Sequence, residues 1–339
     1  MSAAPVDRAP EADGAWAHPT RAGAPHLSYL EGPFEETLPR GALARAPGPE
    51  SPRRVRVGMP HLDVAGLSEN WLFRHAGELQ WEAIARRLGV PSDEIRSDAG
   101  ARLYPTVVAV RARYDAALAT VRENDVLDTS VEVTPCGRSC AHGRVVAAVG
   151  GGPRRFALEL LTTFAAREPQ GLRTAPLAAS LGQRWIPADG PSPTIARLAK
   201  AARRGEPVDD AFSGPAVAHR GPPLGALRYE PSPYADYNGA GLLYFASYVT
   251  IADSAERQIV RRVGLVAPEA RDWALSTSAV RRDVYYYDNL PLGASLTASL
   301  CSFERDDSVV TTHVRLHRER DGRPMADIVT RRRFTGDRP

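Results

Sequence analysis

Two stretches of the sequence resemble each other: Gly66-Leu67-Ser68-Glu69-Asn70-Trp71-Leu72-Phe73 and Asp236-Tyr237-Asn238-Gly239-Ala240-Gly241-Leu242-Leu243-Tyr244-Phe245. Apolar residues at helical spacing follow each start, so we predict helices over Leu67 to Leu88 and over Gly241 to Val260. Ser68 is the expected N-cap of the first helix, and Gly77 is expected to interrupt it. The repeated helix start predicts two related units in one chain.

A run of strand candidates follows each helix. Apolar and polar patterning predicts strands at Arg102–Tyr114, Val126–Val133, Arg144–Val149 and Phe156–Phe164 in the first half, and at Ser278–Tyr287, Ser295–Phe303, Val309–Arg318 and Ala326–Arg333 in the second. Turns are expected at Glu123-Asn124-Asp125 and Asp288-Asn289. The hairpin signals Asp306-Asp307 and Asp321-Gly322 favour antiparallel pairing of the strands in the second half. A helix followed by antiparallel strands thus occurs twice in the chain. This arrangement predicts a double hot-dog fold of the α+β class, with each sheet wrapped around a central helix.

Composition divides the chain into four segments. Residues 1–54 are dense in proline, alanine and arginine, and we predict a disordered leader there. An N-terminal hot-dog unit is expected at 55–181 and a C-terminal unit at 234–335. Residues 182–233 are rich in proline and carry one predicted short helix at Thr194 to Arg203, which indicates an interdomain linker.

The bulk composition excludes several classes of protein. A net charge of +3 gives no general attraction to nucleic acid. No apolar run approaches the roughly 20 residues that cross a bilayer. Cys136, Cys140 and Cys301 form an odd set without a secretory signal, so we expect a cytoplasmic protein without disulfides. The segment from Cys136 to His142 offers at most three metal ligands on a predicted hairpin and is interpreted as a polar turn.

Several motifs carry a resemblance to a known family. These motifs are Met59-Pro60-His61-Leu62, Gly66 to Leu72, Arg102-Leu103-Tyr104-Pro105-Thr106, Asp236-Tyr237-Asn238-Gly239 and Ala252-Asp253-Ser254-Ala255-Glu256. They are similar to motifs of the double hot-dog proteins of polyketide pathways, in particular the bifunctional acyltransferase/decarboxylase of leinamycin biosynthesis and its relatives. The resemblance implies an enzyme that decarboxylates methylmalonyl-CoA and transfers the propionyl group to an acyl carrier protein. Coenzyme A and phosphopantetheine are then acyl carriers, and no metal or tightly held organic cofactor is implied.

The resemblance also implies a catalytic tyrosine near the start of the strand after the first helix. Tyr104 occupies that place, although Pro105 follows it directly and departs from the local context of the family. Arg102 is expected to point to the same sheet face, because side chains two residues apart on a strand do so. We favour a neutral, hydrogen-bonding phenol over an acylated phenolate, since lowering a tyrosine pKa by about three units costs about 4 kcal/mol.

Decarboxylation of a malonyl-type thioester develops an enolate, which needs hydrogen-bond donors at the thioester oxygen. The predicted helix starts near Ser68 and near Asn238 supply backbone amides. Gly239 and Gly241 allow a thioester to approach the backbone closely, and Asn70 or Asn238 add a side-chain amide. Because the two helix starts differ in their surroundings, we expect one composite site and not two equivalent sites.

Three alternatives stay open. His61 and Asp236, each before a helix, resemble the histidine and aspartate of hot-dog dehydratases that act on 3-hydroxyacyl thioesters, although Ala65 stands where that pattern has glycine. A thioesterase is the second alternative, and a non-catalytic module that binds acyl carriers is the third. Arg281 and Arg282 are candidates for contacts with phosphate groups. The expected partners are acyl-CoA and an acyl carrier protein, without nucleic acid or membrane, and a homodimer is left open.

Overall fold

Strands dominate the computed structural model, which describes residues 53–168, 171–187, 190–266, 275–306 and 308–334. The leader predicted for residues 1–54 lies outside these ranges except for its last two residues. The strands are β1 Arg53–Arg56, β2 Leu62–Asp63, β3 Gly66–Leu67, β4 Leu103–Tyr114, β5 Val126–Gly137, β6 Cys140–Val149, β7 Arg155–Glu168, β8 Gly171–Thr174, β9 Gly225–Tyr229, β10 Thr277–Tyr286, β11 Leu296–Asp306, β12 Val309–Arg318 and β13 Pro324–Phe334. The helices are α1 Glu69–Leu88, α2 Ala179–Gly182, α3 Thr194–Arg204, α4 Gly214–Ala218 and α5 Phe245–Arg262.

Helix α1 begins as the sequence predicts. The Ser68 hydroxyl accepts a hydrogen bond from the Trp71 backbone amide, and the helix ends at Leu88, followed by the C-cap Gly89, whose φ of 68° is left-handed. The predicted interruption at Gly77 is wrong, since α1 is continuous. A Cβ at this position would lie 2.8 Å from Phe245 Cε1, so the glycine makes room for a neighbouring ring.

Helix α5 begins later than predicted, at Phe245 and not at Gly241. Asn238 Oδ1 accepts hydrogen bonds from the backbone amides of Ala240 and Leu242, and Gly241 takes a φ of 67°, which together form a tight turn. Asparagine and glycine favour turns as well as helix starts, and here the turn conformation is adopted. The amides near Asn238 therefore belong to a loop and not to a helix N-terminus.

The predicted strands pair into one antiparallel sheet with the order β1-β5-β6-β7-β4-β10-β13-β12-β11-β9, while β8 extends from β7. The two predicted sheets thus join edge to edge through β4 and β10. A β-bulge falls at Val108 in β4 and another at Val280 in β10. These two positions lie about half the chain apart, which matches the separation of the repeated motifs and supports a duplicated unit.

Both long helices pack against one face of the sheet. Asn70 of α1 donates a hydrogen bond from its side-chain nitrogen to Thr250 Oγ1 of α5 at 2.8 Å, which fixes the two helices together. Apolar residues of α1, α5 and the strands form a continuous core, which includes Phe73, Val110, Phe156, Tyr248, Val284 and Ile328. Burying such side chains contributes about 1.5–3 kcal/mol each relative to leaving them exposed.

Residues 182–233 do more than connect the halves. The predicted short helix is confirmed as α3, whose Ile195 and Leu198 pack on the opposite face of the sheet against Ala109, Leu161 and neighbouring residues. Strand β9 extends the sheet at its last position by pairing with β11. This segment therefore covers part of the second face of the sheet and lengthens the sheet by one strand.

The expectation of no disulfides is wrong. Cys136 and Cys140 are joined across the turn between β5 and β6, where their Cα atoms lie 5.2 Å apart, while Cys301 is a buried free thiol. Within the described ranges, no group of three possible ligands gathers at a metal-binding distance. No helix in those ranges has both the length and the apolar character needed to span a membrane.

Candidate functional site at the seam of the sheet

The seam between β4 and β10 is short and opens at one end. Pairing runs only from Arg281 opposite Arg113 to Tyr285 opposite Ala109. Beyond the bulge at Val108, the first half of β4 pairs with β7 alone, while the chain leaves β10 toward Asp288. Because the two strands diverge here, the sheet leaves a gap between the two halves of the chain.

An inner cavity of about 150 Å³ lies in this gap. Its walls come from α1, from the start of β4, from the loop before α5 and from the end of β10. Among its described lining residues are Gln80, Thr106, Thr163, Leu243, Phe245, Tyr248, Tyr286, Tyr287, Asp288 and Asn289. Both halves of the chain therefore contribute to one cavity.

A larger outer groove, of about 1210 Å³, lies next to the inner cavity. Its walls include Arg74, Arg86 and Arg102 together with Glu78 and Glu82. Five residues line both spaces and define what we call the neck: Gly77, Trp81, Tyr104, Asn238 and Tyr244. The neck joins an open groove with basic and acidic side chains to a small cavity whose lining includes seven aromatic residues.

Hydrogen-bond donors converge at the neck. The hydroxyls of Tyr104 and Tyr244 have no hydrogen-bond partner among the described residues, and the Arg102 guanidinium lies 4.9 Å from the centre of the Tyr104 ring. Asn238 uses its side-chain oxygen on its own turn, which leaves its NH2 group as the donor available to the neck. Such a set of donors suits an oxygen atom that gains negative charge.

The buried phenols around the cavity stay neutral. Burial raises the pKa of Tyr244, and burial raises the pKa of Tyr286 well above its ordinary value. Burial likewise raises the pKa of Tyr248 and, with the charge of Asp327, that of Tyr287. These side chains are therefore hydrogen-bond donors and apolar walls at neutral pH, not bases.

Groups that could activate water are scarce around the inner cavity. Among its described lining residues there is no histidine, and the one carboxylate is Asp288, which binds Arg318 and Arg323 at 2.9 Å each. His75 lines the outer groove, but burial lowers its pKa to about 4, and its ring stacks on Trp71. The described cavity thus lacks an evident general base.

The structure brings only part of the predicted site together. Tyr104 and Asn238 lie at the neck, Arg102 and Gly239 line the outer groove, and Gly241 packs beside the Arg167 guanidinium, which donates to the Ala240 carbonyl. Five predicted site residues are absent from the described lining of both spaces: His61, Ser68, Asn70, Asp236 and Gly241.

The four residues other than Gly241 have structural roles. His61 Nδ1 accepts from the Gly58 amide at 2.8 Å, and Ser68 caps α1. Asn70 links α1 to α5, and the buried Asp236 accepts hydrogen bonds from the Tyr229 hydroxyl and the Ser232 amide. His61 and Asp236, on which the dehydratase alternative rests, line neither of these two spaces.

Charged side chains occupy the other end of the seam. Arg282 is completely buried and binds Glu69 of α1 and Asp253 of α5 at 2.6 and 3.0 Å. Arg332 of β13 extends the cluster to Asp253 and Glu256 at 2.7 and 3.3 Å. Arg282 is therefore committed to the core and not placed for the predicted phosphate contact, and Arg281 instead binds Asp210 and Asp283 on the opposite face.

Comparison with known proteins supports the fold. No protein-family model matches the chain, and no curated protein matches it. Among solved structures, a putative oleoyl thioesterase from Lactobacillus plantarum superposes with a TM-score of 0.60 at 12% identity, covering 85% of this chain and 97% of that one. A 12:0-ACP thioesterase from Umbellularia californica gives 0.57 at 10% identity, covering 84% and 97%. The fold is a double hot-dog. At these identities the likeness concerns the architecture.

A methyl group at Gly77 tests how tightly the neck is packed. Alanine in place of a helix-interior glycine normally stabilises a helix by up to about 1 kcal/mol. Here we expect Gly77→Ala to give no gain in the free energy of unfolding, because its Cβ would lie 2.8 Å from Phe245 Cε1. Chemical denaturation measures the effect. A clear gain from Gly77→Ala would contradict the packing.

Proposed function

We propose that this protein is an enzyme that acts on acyl thioesters at the neck between the outer groove and the inner cavity. Its reaction is the decarboxylation of a malonyl-type thioester, with methylmalonyl-CoA as the first candidate, followed by transfer of the acyl group to an acyl carrier protein. One observation carries the choice of reaction: the described residues of the inner cavity offer neutral hydrogen-bond donors but no free base.

The shapes of the two spaces suit the two ends of an acyl thioester. The outer groove of about 1210 Å³ has room for a phosphopantetheine arm, and the exposed Arg86 and Arg102 along its walls suit phosphate groups. The inner cavity of about 150 Å³ holds roughly five waters at about 30 Å³ each, which corresponds to a short acyl group. The thioester carbonyl then lies at the neck, beside Tyr104 and Asn238.

The decarboxylation step requires charge stabilisation and not a base. When the bond between the α-carbon and the carboxylate breaks, its electron pair moves into the thioester and forms an enolate while CO2 leaves. The Tyr104 hydroxyl and the Asn238 amide donate hydrogen bonds to the enolate oxygen. A proton from solvent adds to the α-carbon and gives the acyl thioester. The carrier thiol then attacks the carbonyl carbon, the bond from that carbon to the coenzyme A sulfur breaks, and the thiol proton passes to the departing coenzyme A.

Hydrolysis of an acyl thioester is the second candidate. It is favoured by the two superposed structures, which are named as thioesterases. It requires an activated water. The described lining of the inner cavity offers no free base, while Glu78 and Glu82 lie in the walls of the outer groove. We therefore place hydrolysis second.

Incubation of the full-length protein with methylmalonyl-CoA and a phosphopantetheinylated acyl carrier protein separates the candidates. Mass spectrometry of the small molecules and of the carrier is expected to show propionyl-carrier and free coenzyme A. Free methylmalonate or propionate without acylated carrier would support hydrolysis. No change in any acyl thioester would overturn both enzymatic candidates and leave a module that binds acyl carriers.

A further inference from the structure

Leu243, in the loop before α5, has both of its backbone polar groups turned away from the residue it pairs with. It pairs with Tyr237 in an isolated antiparallel bridge, and the hydrogen bonds of this bridge, at 2.9 and 2.8 Å, are made by the residues on either side of the pair. In such a pair the N–H and C=O groups of the central residues point outward. Because Leu243 is only 2% exposed, these groups need partners within the protein.

The side chain of Asn289 supplies both partners. Its Oδ1 accepts a hydrogen bond from the Leu243 amide at 3.0 Å, and its Nδ2 donates to the Leu243 carbonyl at 2.9 Å. A carboxamide has an acceptor and a donor side by side, so it can pair with a backbone as a neighbouring strand does. Asn289 thereby joins the loop before α5 to the segment that follows β10, and both residues line the inner cavity.

Asn289 is itself held by other parts of the fold. Its backbone amide donates to Asp288 Oδ1 at 2.9 Å, and Arg318 and Arg323 each bind the other oxygen of that carboxylate at 2.9 Å. The Tyr248 hydroxyl of α5 donates to the Asp288 carbonyl at 2.9 Å. Asn289 is therefore a fixed point to which the loop before α5 is attached.

The loop that Asn289 holds carries a donor of the neck. The Asn238 backbone amide donates to the Leu242 carbonyl at 2.9 Å, and Asn238 Oδ1 accepts from the Leu242 amide at 3.1 Å. Since Leu242 precedes Leu243 directly, a displacement of Leu243 also displaces Asn238, whose NH2 group is the donor described above. A shift of about 1 Å at a group that contacts the reacting atoms lowers a rate by about 100-fold.

We propose that Asn289 is a positioning residue, which holds the backbone of Leu243 and thereby keeps the Asn238 amide directed at the oxygen of the bound thioester. This inference rests on the proposed function. Asn289 acts through the protein and not on the substrate, because both polar atoms of its side chain bind Leu243. The site at the neck then depends on a residue of the segment after β10, in addition to β4 and the loop before α5.

A double-mutant cycle tests the proposal. With methylmalonyl-CoA and the full-length protein, Asn238→Ala is expected to lower kcat about 100-fold. Asn289→Ala is expected to lower kcat about 10- to 100-fold with little change in KM. Because Asn289 acts through Asn238, the double variant is expected to be no slower than Asn238→Ala alone. A double variant clearly slower than Asn238→Ala, or full activity of Asn289→Ala, would overturn the positioning role.

Two further variants separate positioning from a loss of stability. Thr312→Ala is the matched control, because it removes a buried hydrogen bond, from Thr312 to Glu256 at 2.7 Å, and Thr312 lines neither space. It is expected to lower stability to urea and to keep kcat; an equal loss of kcat in this control would overturn the proposal. Asn289→Asp keeps the size of the side chain and loses the donor to Leu243, so a wild-type kcat in this variant would also overturn it, even where Asn289→Ala does not fold.

The Asn238 side chain gives a readout that does not depend on turnover. Its NH2 signals in a nitrogen-15 NMR spectrum, identified by their loss in Asn238→Ala, are expected to shift in Asn289→Ala and to stay in place in Thr312→Ala. Unshifted signals in Asn289→Ala would overturn the role of Asn289 alone. A wild-type protein that decarboxylates no malonyl-type thioester would instead overturn the proposed function.

Discussion

Replacing Arg282 by leucine is expected to lower the free energy of unfolding by about 3–5 kcal/mol, because removing one partner of a buried ion cluster leaves the others uncompensated. Arg282 is completely buried, and its guanidinium donates to both carboxylate oxygens of Glu69, to those of Asp253 and to the Thr330 hydroxyl. Leucine supplies none of these bonds. Since whole domains are stable by only about 5–15 kcal/mol, this loss is a large fraction of the total.

Chemical denaturation followed by circular dichroism measures the effect of Arg282→Leu. Arg54→Leu is the matched control, since Arg54 is 75% exposed and binds Asp128 at the surface. Surface ion pairs contribute at most about 1 kcal/mol, so the control is expected to stay close to the wild type. A loss below about 1 kcal/mol for Arg282→Leu would contradict a structural role for the cluster.

The cluster also predicts a dependence on pH. Arg282 and Arg332 lower the pKa of Asp253 below its ordinary value of 3.8, even though burial opposes them. A carboxyl whose pKa is lowered by folding stabilises the protein above its unfolded pKa, and this contribution is lost as the pH falls through the folded pKa. Acid titration of stability below about pH 4 is therefore expected to be less steep in Arg282→Leu than in the wild type.

Local patterns explain why most elements of the fold were predictable. Val309 to Arg318 is predicted and observed with identical bounds, because alternation of apolar and polar residues is a property of the strand itself. The start of α1 is also predictable from local sequence, because Ser68 is a typical N-cap residue. The start of α5 was missed because Asn238 and Gly241 are as suitable for a turn as for a helix start, and only packing decides between the two.

The candidate site was less predictable, since it arises where strands separate. Tyr104 and Asn238 were identified from short motifs, but their meeting at the neck depends on the bulge at Val108 and on the short pairing of β4 with β10. Nothing in the local sequence marks Trp81 or Tyr244 as members of a cavity wall. The charged cluster was missed for the same reason, because Arg282 and Glu69 lie 213 residues apart.

Replacing Tyr104 by phenylalanine is expected to lower kcat for decarboxylation of methylmalonyl-CoA by about 100- to 1000-fold, which is the typical effect of removing one donor to a developing oxyanion. The hydroxyl of Tyr104 is free of protein partners in the described structure, and Tyr104 lines both the groove and the cavity. The ring and its contact with Arg102 are kept in the variant, so KM is expected to change little. Release of CO2 and loss of substrate, followed together over time, give both constants.

Tyr234→Phe is the matched control, because Tyr234 is 97% exposed and lines neither space. It is expected to keep wild-type rates. Intact-protein mass spectrometry after brief mixing with substrate adds a second test, since a hydrogen-bonding phenol leaves no acyl adduct on the enzyme. An acyl adduct that forms on the wild-type enzyme and is lost in Tyr104→Phe would contradict the hydrogen-bonding role of Tyr104 and support covalent catalysis by its phenolate. Full decarboxylation by Tyr104→Phe would remove Tyr104 from the mechanism and leave Asn238 as the donor at the thioester oxygen.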